Sequence, residues 1–476
     1  MSLSASLSSA LSGLTAAARG AEVVSSNVAN ARTAGYARRE LLLAVRSPQG
    51  VQVAGVARMV DRALQTDRRA AQAAAENTDL RSAFLRRIEE AIGLPGDDGA
   101  LSTRIGAFAA ALTAAAGRPE STALLTAAVD MAAGIAGHLA GASDGIQTAR
   151  AEADRAIAAD VGLLNDSLAR IADMNRQIRT TLGSGRDASA LMDQRQQLVD
   201  GIAAIVPLRE VDRGNGQIAL YTAGGAVLLD GTPAEFGFTP AGIVVPGMTQ
   251  GTGALSGLTL NGRAMGTAET GLLGGGRLAA NFALRDVLGP EAQARLDAVA
   301  RDLVERFADP ALDPTLAPGA AGLFTDGGGP FAPGDETGLA ARLAVNPALD
   351  GAAWRLRDGL GAAAPGASGQ SALLVRMADT LDTARAPVSG GFGGGARSFA
   401  ALASDLLSTL ATARLTADGA ATFSAAKAAA LQQQEAAGGV DTDHEVQMLL
   451  QIETAYAANA KVLQSVDEML DLLLGM

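Results

Sequence analysis

A short run of ionisable side chains near the C-terminus has residue types that could bind a metal ion. It comprises Asp441, Asp443, His444 and Glu445. Consecutive residues in one helical turn point in different directions, so they do not converge on a single ion. The same residues fit a helix start, because Thr442 and Glu445 have the spacing of a capping box. Carboxylates there also lie at the positive end of the helix dipole. We therefore predict a capped helix and no metal site.

The remaining sequence offers little for catalysis. The chain has no cysteine, which excludes disulfides and thiolate chemistry, and only two histidines, His138 and His444. His138 shares an apolar helical face with Ile135, which predicts a neutral packing residue. The glycine runs at 274–276 and 393–395 lack the Lys-Ser/Thr of a phosphate loop, and no G-x-S-x-G elbow occurs. We predict neither an enzyme nor a cofactor.

The composition limits which classes of partner the chain is expected to bind. The formal net charge is -12 at pH 7, which argues against a nucleic-acid partner because phosphate neutralisation needs a basic face. No apolar run approaches the roughly 18 residues of a membrane span. The first charge is Arg19 and no basic segment precedes it, so we expect no cleaved signal peptide.

The two ends of the chain are the elements most clearly predicted from the sequence. Each carries an apolar seam with a mean step of 3.5 residues. The N-terminal seam is Leu3, Leu7, Ala10, Leu14, Ala17, Ala21, Val24 and Val28. The C-terminal seam is Leu449, Ile452, Tyr456, Asn459, Leu463, Val466, Leu470 and Leu473. Such a narrow stripe needs a partner helix to cover it. We predict that the ends pair with each other or with neighbouring subunits, as in an assembly protein.

Between the ends, the hydrophobic periodicity changes from that of strands to that of helices, then to strands again, and finally to helices. Residues 36–60 alternate like strands. A helical stripe follows the start signal Pro119, and a longer seam runs from Ile157 to Leu182. Strand patterns then occur at Ile218–Thr222, Val227–Leu229, Phe236–Phe238, Ile243–Val245 and Leu258–Leu260, the last before the turn signal Asn261-Gly262. Glycine and proline are dense over 309–338, which indicates a loop or an eroded insertion.

The predicted fold is therefore mainly α with a small β domain, with terminal coiled-coil helices, a discontinuous helical bundle and an inserted outer β domain. The predicted domains are a terminal domain at 1–60 and 436–476, a helical bundle at 61–207 and 276–435 with a Gly/Pro-rich insertion at 309–366, and a β domain at 208–275.

The most specific segment ends the first helix. Its defining positions are Ser26, Asn27, Ala29, Asn30, Thr33, Gly35 and Tyr36. A plain helix C-terminus accounts for Gly35 but not for the other positions. The spacing resembles the S-x-N-[LIV]-A-N-x-x-T-x-G-[FY] signature of the axial proteins of the bacterial flagellum. The C-terminal stretch from Gly439 to Asp471 is similar to the endings of the same proteins.

A second run points to one branch of that family. Leu191, Asp193, Gln194, Arg195 and Leu198 resemble the L-[LM]-D-Q-R-x-x-L-V run of FlgK-type hook–filament junction proteins. Rod and hook proteins have mostly β structure directly after the first signature, whereas residues 61–205 here are predicted to be helical.

The resemblance implies a non-enzymatic structural subunit that joins the flagellar hook to the filament. Implied partners are copies of the chain itself, the hook protein, the third hook-associated protein and an export chaperone on the C-terminal helix. The implied location is the extracellular flagellum, reached through the flagellar secretion channel. Alternatives are another axial protein, such as a hook or rod subunit, and a secreted coiled-coil adhesin or hydrolase.

Overall fold

The computed structural model describes residues 3–33, 35–45, 50–94 and 96–475. Helices dominate it, which confirms the mainly α class. The helices are α1 Leu3–Asn30, α2 Arg62–Ile92, α3 Leu101–Gly117, α4 Thr122–Gly183, α5 Ser189–Ala203, α6 Arg277–Ala283, α7 Gly289–Phe307, α8 Leu339–Arg342, α9 Arg355–Asp358, α10 Ala372–Asp382, α11 Phe399–Ala437 and α12 Thr442–Leu474. The strands are β1 Arg39–Val45, β2 Val51–Arg58, β3 Leu208–Gly214, β4 Gln217–Thr222, β5 Val227–Asp230, β6 Thr232–Pro233, β7 Phe236–Gly237, β8 Leu258–Leu260, β9 Arg263–Met265, β10 Phe324–Asp326 and β11 Leu343–Val345.

The first and last helices pack side by side in opposite directions. Three contacts fix their register: Gly13 with Asn459, Gly20 with Ile452, and Asn27 with Glu445. Each step advances seven residues along α1 and seven residues back along α12. The pair is therefore antiparallel, with the seven-residue repeat of a coiled coil.

Helices α2 and α11 form a second antiparallel pair beyond the first. Asp61 caps α2 by accepting hydrogen bonds from two backbone N–H groups at 3.0 Å each. Ion pairs tie the two helices near both ends of α2: Arg68 Nε lies 2.5 Å from Glu435 Oε2, and Arg414 pairs with Glu89. From the two chain ends toward the bundle, the chain thus forms first the pair α1–α12 and then the pair α2–α11.

Helix α4 is one continuous helix of 62 residues that contains both the stripe after Pro119 and the seam from Ile157. It begins at Thr122, with Ser121 as its cap. In the part of the chain that is described, it is the one helix long and apolar enough to cross a membrane. This differs from the expectation that no segment has that length and apolarity. A core helix passes the same test, and Ile135 of α4 is fully buried in the protein.

Two apolar cores lie along α4. The larger one gathers α3, α7, α10 and the first turns of α11 around three aromatic rings, with Phe307 and Phe324 centroids 5.3 Å apart and Phe108 6.0 Å from each. The smaller one packs the second half of α4 and α5 against the β region. Burying a Phe side chain stabilises the fold by about 1.5–3 kcal/mol.

The β region consists of two small antiparallel sheets, with strand orders β3-β4-β5-β6 and β7-β8-β9. Asn261 and Gly262 both have positive φ (51° and 75°), as the turn between β8 and β9 requires. The expected strand at Ile243–Val245 is wrong, because residues 238–257 form a loop. Backbone carbonyls of this loop accept hydrogen bonds from the buried Arg150 instead of pairing in a sheet.

The glycine- and proline-rich segment is not a loose insertion. Residues 309–366 contain β10, α8, β11 and α9, and their apolar side chains join the larger core. The Asp313 carboxylate accepts a hydrogen bond from Leu360 N at 2.8 Å, which ties the two ends of the segment together. The loop expected over 309–338 is therefore folded in part, because non-local contacts replace the missing periodicity.

Candidate functional site

The signature segment ends in a joint where α1, the β1–β2 hairpin, α5 and α12 meet. Asn27 is 1% exposed and uses the full hydrogen-bonding capacity of its side-chain amide. Its Nδ2 donates to Arg39 O at 2.8 Å and to Glu445 Oε2 at 2.9 Å. Its Oδ1 accepts from Tyr36 OH at 2.8 Å and from Arg39 N at 2.9 Å. One side chain thereby links both ends of the chain to the hairpin.

Glu445 does not belong to a capping box, so that prediction is wrong. Asp441 is the N-cap of α12, and its carboxylate accepts hydrogen bonds from Asp443 N and His444 N at 3.0 and 3.2 Å. The Glu445 side chain is buried and pairs with Arg38 Nε at 2.7 Å. It turns toward the joint because Asn27 and Arg38 supply stronger partners than a backbone N–H that Asp441 already serves.

Asp193, from the FlgK-like run, forms ion pairs with two arginines of the hairpin. Arg39 Nη2 lies 2.8 Å from Asp193 Oδ2, and Arg58 Nη2 lies 2.7 Å from Oδ1. Arg39 and Arg58 are paired residues at the base of the β1–β2 hairpin, so their guanidinium groups reach one carboxylate together. The Arg39 guanidinium also lies over the Tyr36 ring, 4.8 Å from its centroid. Asp193 therefore fastens the terminal segment to α5 of the bundle.

The remaining signature residues shape the turn. Gly35 has φ +76°, and a Cβ there would lie 2.7 Å from Gln197 Cγ, so the position requires glycine. Asn30 Nδ2 donates to Ser26 O at 2.9 Å, and Thr33 Oγ1 donates to Asn30 Oδ1 at 3.3 Å. Ser26 Oγ lies 3.3 Å from Tyr36 OH. The side chain of Ala29 is exposed.

The other members of the run lie on different sides of α5. Arg195 is buried and donates to Asn175 Oδ1 at 2.7 Å and to Gly216 O at 2.6 Å. Burial lowers the pKa of Arg195 to about 10. Leu191 and Leu198 are partly buried, whereas Gln194 is exposed. Arg195 thus ties α4 to the β region, while Asp193 faces the joint.

The N-terminal seam is only partly turned toward α12. Ala10, Ala17 and Val24 are buried, and Leu3, Leu14 and Ala21 are partly buried, whereas Leu7 and Val28 are each 38% exposed. The positions that alternate with the buried alanines at the contact are Gly13 and Gly20. Glycine is unfavourable inside a helix, so two glycines seven residues apart indicate a place where another helix approaches closely. The predicted apolar seam did not include these two positions.

The C-terminal seam follows the contact more closely. Val466 is buried, and Leu449, Ile452, Asn459, Leu463 and Leu470 are partly buried. Tyr456 and Leu473 are 48% and 60% exposed. Asn459 lies against Gly13, since a Cβ on that glycine would be 2.7 Å from Asn459 Nδ2.

An open space remains between the terminal helices and the bundle. A cavity of about 660 Å³ lies between the signature turn, the start of α2 and the end of α11. On its bundle side, Arg68 of α2 reaches Asp200 Oδ1 of α5 at 2.8 Å. The pairs of Arg39 and Arg58 with Asp193 link the terminal segment to the bundle, and neither apolar core includes a residue of α1 or α12.

No cluster of three or more His, Cys, Asp or Glu side chains with metal-binding geometry occurs among the described residues. His138 Nε2 lies 2.9 Å from Ile92 O, and burial lowers its pKa. The hydrogen bonds and ion pairs at the joint position its helices and fasten them to one another.

Three family models match the chain in order. A flagella basal body rod protein model matches residues 7–36, the helical domain of the flagellar hook-associated protein FlgK matches residues 85–310, and the C-terminal model of the flagellar basal body rod FlgEFG proteins matches residues 434–476. The first and last of these contain the two partners of the hydrogen bond from Asn27 to Glu445.

Curated relatives agree with the family models. Flagellar hook-associated protein 1 of Salmonella typhimurium is 28% identical over 244 residues, covering 49% of this chain and 44% of that relative. The protein of the same name from Escherichia coli is 26% identical over the same length. The chain thus matches less than half of the length of these relatives. A solved structure of the flagellar hook junction protein FlgK from Burkholderia pseudomallei has a TM-score of 0.46 and 18% identity, over 55% of this chain and 47% of that one.

Proposed function

Because the chain belongs to the family of FlgK-type flagellar hook-associated proteins, we propose that it is a structural subunit joining the hook of the bacterial flagellum to its filament. One observation carries the proposal: the signature amide of Asn27 binds Glu445, 418 residues away, and so brings the two ends into one helix pair. A protein built to present both of its ends as a single rod suits axial assembly.

The surface of that rod supports contacts with further subunits. Although α1 covers one side of α12, large apolar side chains are exposed along the rest of the helix: Val446, Leu450, Tyr456, Val462, Met469, Leu472 and Leu473. Apolar side chains exposed in such density mark interaction surfaces. We propose copies of the same chain, the hook protein and the third hook-associated protein as neighbours. We also propose that an export chaperone covers α12 before assembly, and that export proceeds through the flagellar secretion channel without cleavage of a signal peptide.

A gene deletion in the native organism tests the proposal. We expect cells that build hooks but lack attached filaments, with motility restored by the full chain. A variant that ends at Gly438 should fail to restore it, because it lacks α12 and Glu445. The matched control is Gln194→Ala, an exposed residue of α5 whose replacement should leave motility intact. Normal filaments in the deletion strain would refute the proposal.

A rod or hook subunit is the second candidate, because the models that match the two ends describe rod proteins. The same deletion separates the two functions. Loss of the hook together with the filament would favour a rod or hook subunit, whereas hooks without filaments favour the junction.

A further inference from the structure

The middle of α11 carries an exposed aromatic side chain next to a free cation. Phe423 is 72% exposed, the highest value for any aromatic residue in the described part of the chain. Lys427 follows one helical turn later, is exposed, and has no ion pair within the described residues. Aromatic side chains that fill a pocket of the partner act as anchors of protein interfaces.

The opposite side of the same helix pair has the complementary features. A depression of about 620 Å³ lies between α2 and α11, and its lining includes the small residues Ala75, Ala421 and Ala425. Arg86 and Asp418 also line it and pair with each other at 3.7 Å. A cavity of this size accommodates a phenyl ring. Glu76 and Asp79 stand at its border, both exposed and without an ion-pair partner in the described ranges.

The two features lie at one level of the helix pair but face opposite ways. Phe423 is two residues from Ala421 and two from Ala425, and residues two apart on a helix point about 160° away from each other. Phe423 therefore cannot reach the depression of its own chain. A knob on one face and its socket on the opposite face, at the same level, produce head-to-tail contacts that close into a ring or continue as a helix.

We propose that Phe423 of one copy of the chain inserts into the Ala75–Ala421–Ala425 depression of the next copy, with Lys427 facing Glu76 and Asp79. The occupant is a second copy because this one chain carries the exposed phenyl ring with the unpaired Lys427 on one face, and the depression with the unpaired Glu76 and Asp79 on the other. This inference rests on the proposed function, since it requires copies of the chain to stand side by side around an axis.

The cysteine-free sequence allows a direct test by crosslinking. The double variant Phe423→Cys/Ala75→Cys replaces the native chain in the cell, and isolated hook–filament preparations are treated with a short bis-maleimide. We expect a ladder of dimers, trimers and larger adducts, and no ladder with either single variant. An adduct with a protein of a different mass would overturn the inference. So would the absence of adducts in preparations that contain the chain, and the proposed function would then still stand. Absence of the wild-type chain from such preparations would instead overturn the proposed function and, with it, this inference.

A charge exchange covers the case in which the cysteine variants fail to assemble. Lys427→Glu should reduce motility, because it places a carboxylate opposite Glu76 and Asp79, and Glu76→Lys in the same chain should restore it. As a control for a change at another exposed surface, Ile243→Ser in a loop of the β region should have no effect; Ile243 is 75% exposed, similar to Phe423 at 72%. Wild-type motility of Lys427→Glu, or failure of Glu76→Lys to restore it, would overturn the inference.

Discussion

At the scale of single residues, the joint depends on one fully satisfied amide and two shared carboxylates. Asn27 makes four hydrogen bonds, Glu445 pairs with Arg38 just before the hairpin, and Asp193 pairs with Arg39 and Arg58 of the hairpin. A buried polar group that loses its partner incurs the full desolvation cost, so these contacts are mutually dependent. Removing one member should therefore weaken contacts that it does not itself make.

We expect Asn27→Ala to destabilise the terminal helix pair by about 1–3 kcal/mol, because it leaves buried polar groups of Arg39 and Glu445 unpaired. Asn30→Ala is the matched control. Asn30 donates only within its own helix turn, and its loss should cost about 0.5 kcal/mol. Amide exchange over residues 442–452 measures the opening free energy. Equal effects of the two substitutions would contradict the assigned role of Asn27.

Buried carboxylates in the bundle make stability depend on pH. Asp297 accepts hydrogen bonds from Gln293 Nε2, Gly338 N and Ala340 N at 2.8, 2.8 and 2.9 Å, yet burial raises the pKa of its carboxyl above the ordinary 3.8. The folded state thus holds this proton more tightly than the unfolded chain. The contribution of Asp297 to stability is complete below pH 3.8 and is lost as pH rises through the raised value.

Asp297→Asn removes the titratable carboxyl and with it the pH-dependent contribution of Asp297 to stability. We expect the free energy of unfolding of this variant to fall less steeply than that of the wild type as pH rises above 3.8, measured by urea titration across pH. Asp358→Asn serves as a control of opposite sign. The hydrogen bond from Arg357 lowers the pKa of Asp358, so its contribution is lost only as pH falls below 3.8. An unchanged slope in Asp297→Asn above pH 3.8 would refute the assignment.

At the scale of the elements, the terminal pair is closest where α1 has glycine. A Cβ at Gly20 would lie 3.0 Å from Ile452 Cδ1, and one at Gly13 would lie 2.7 Å from Asn459 Nδ2. Small residues let two helix backbones approach, whereas larger ones force them apart. The glycines thus set the separation of α1 and α12.

Gly20→Leu should weaken the terminal pair by about 1–3 kcal/mol through overpacking, seen as faster amide exchange in α12. The matched control is Gly162→Leu on α4, where a Cβ would have no neighbouring atom within 4 Å. That substitution should be neutral or stabilise its helix by up to about 1 kcal/mol, because leucine is the better helix former. Similar exchange rates in both variants would mean that α1 and α12 are not in the close contact described.

At the scale of the whole molecule, stability is unevenly distributed. Both apolar cores lie between Phe84 and Leu410, and α1 and α12 belong to neither. The terminal pair is instead fastened by polar contacts around an open cavity. Elements with little buried apolar surface open at lower free energy than the core. The ends should therefore be the least stable part of the free chain.

We expect amide exchange on the free chain to be fastest in residues 3–28 and 449–473 and slowest in α4 and α7. Neighbouring subunits would cover the exposed apolar residues in an assembly and slow the exchange there. A chain truncated after Gly438 provides the control, because its α4 and α7 should remain as protected as in the full chain. Strong protection of the ends in the isolated chain would contradict this distribution.

The sequence by itself determined the features that depend on local order. A helical repeat of seven residues and a strand alternation of two residues both depend only on positions close together in the sequence. Both terminal helices and the strands within residues 36–60 were therefore predictable. The mainly α class, the turn at Asn261-Gly262 and the resemblance of the signature followed for the same reason. Gly35 was predictable as the stop of the first helix, because glycine readily takes the left-handed conformation that ends helices, and its φ is +76°.

Tertiary structure alone decided which of several locally equivalent arrangements occurs. On α1, Gly13 and Gly20 lie beside Leu14 and Ala21 with the same repeat, and only the presence of α12 selects the glycine row as the contact. Glu445 fits a capping box by spacing, but its carboxylate turns to Asn27, 418 residues away in sequence. Residues 309–366 lack periodicity and fold through contacts with the bundle. In each case the deciding interaction is non-local, and burial against a distant partner outweighs the local preference.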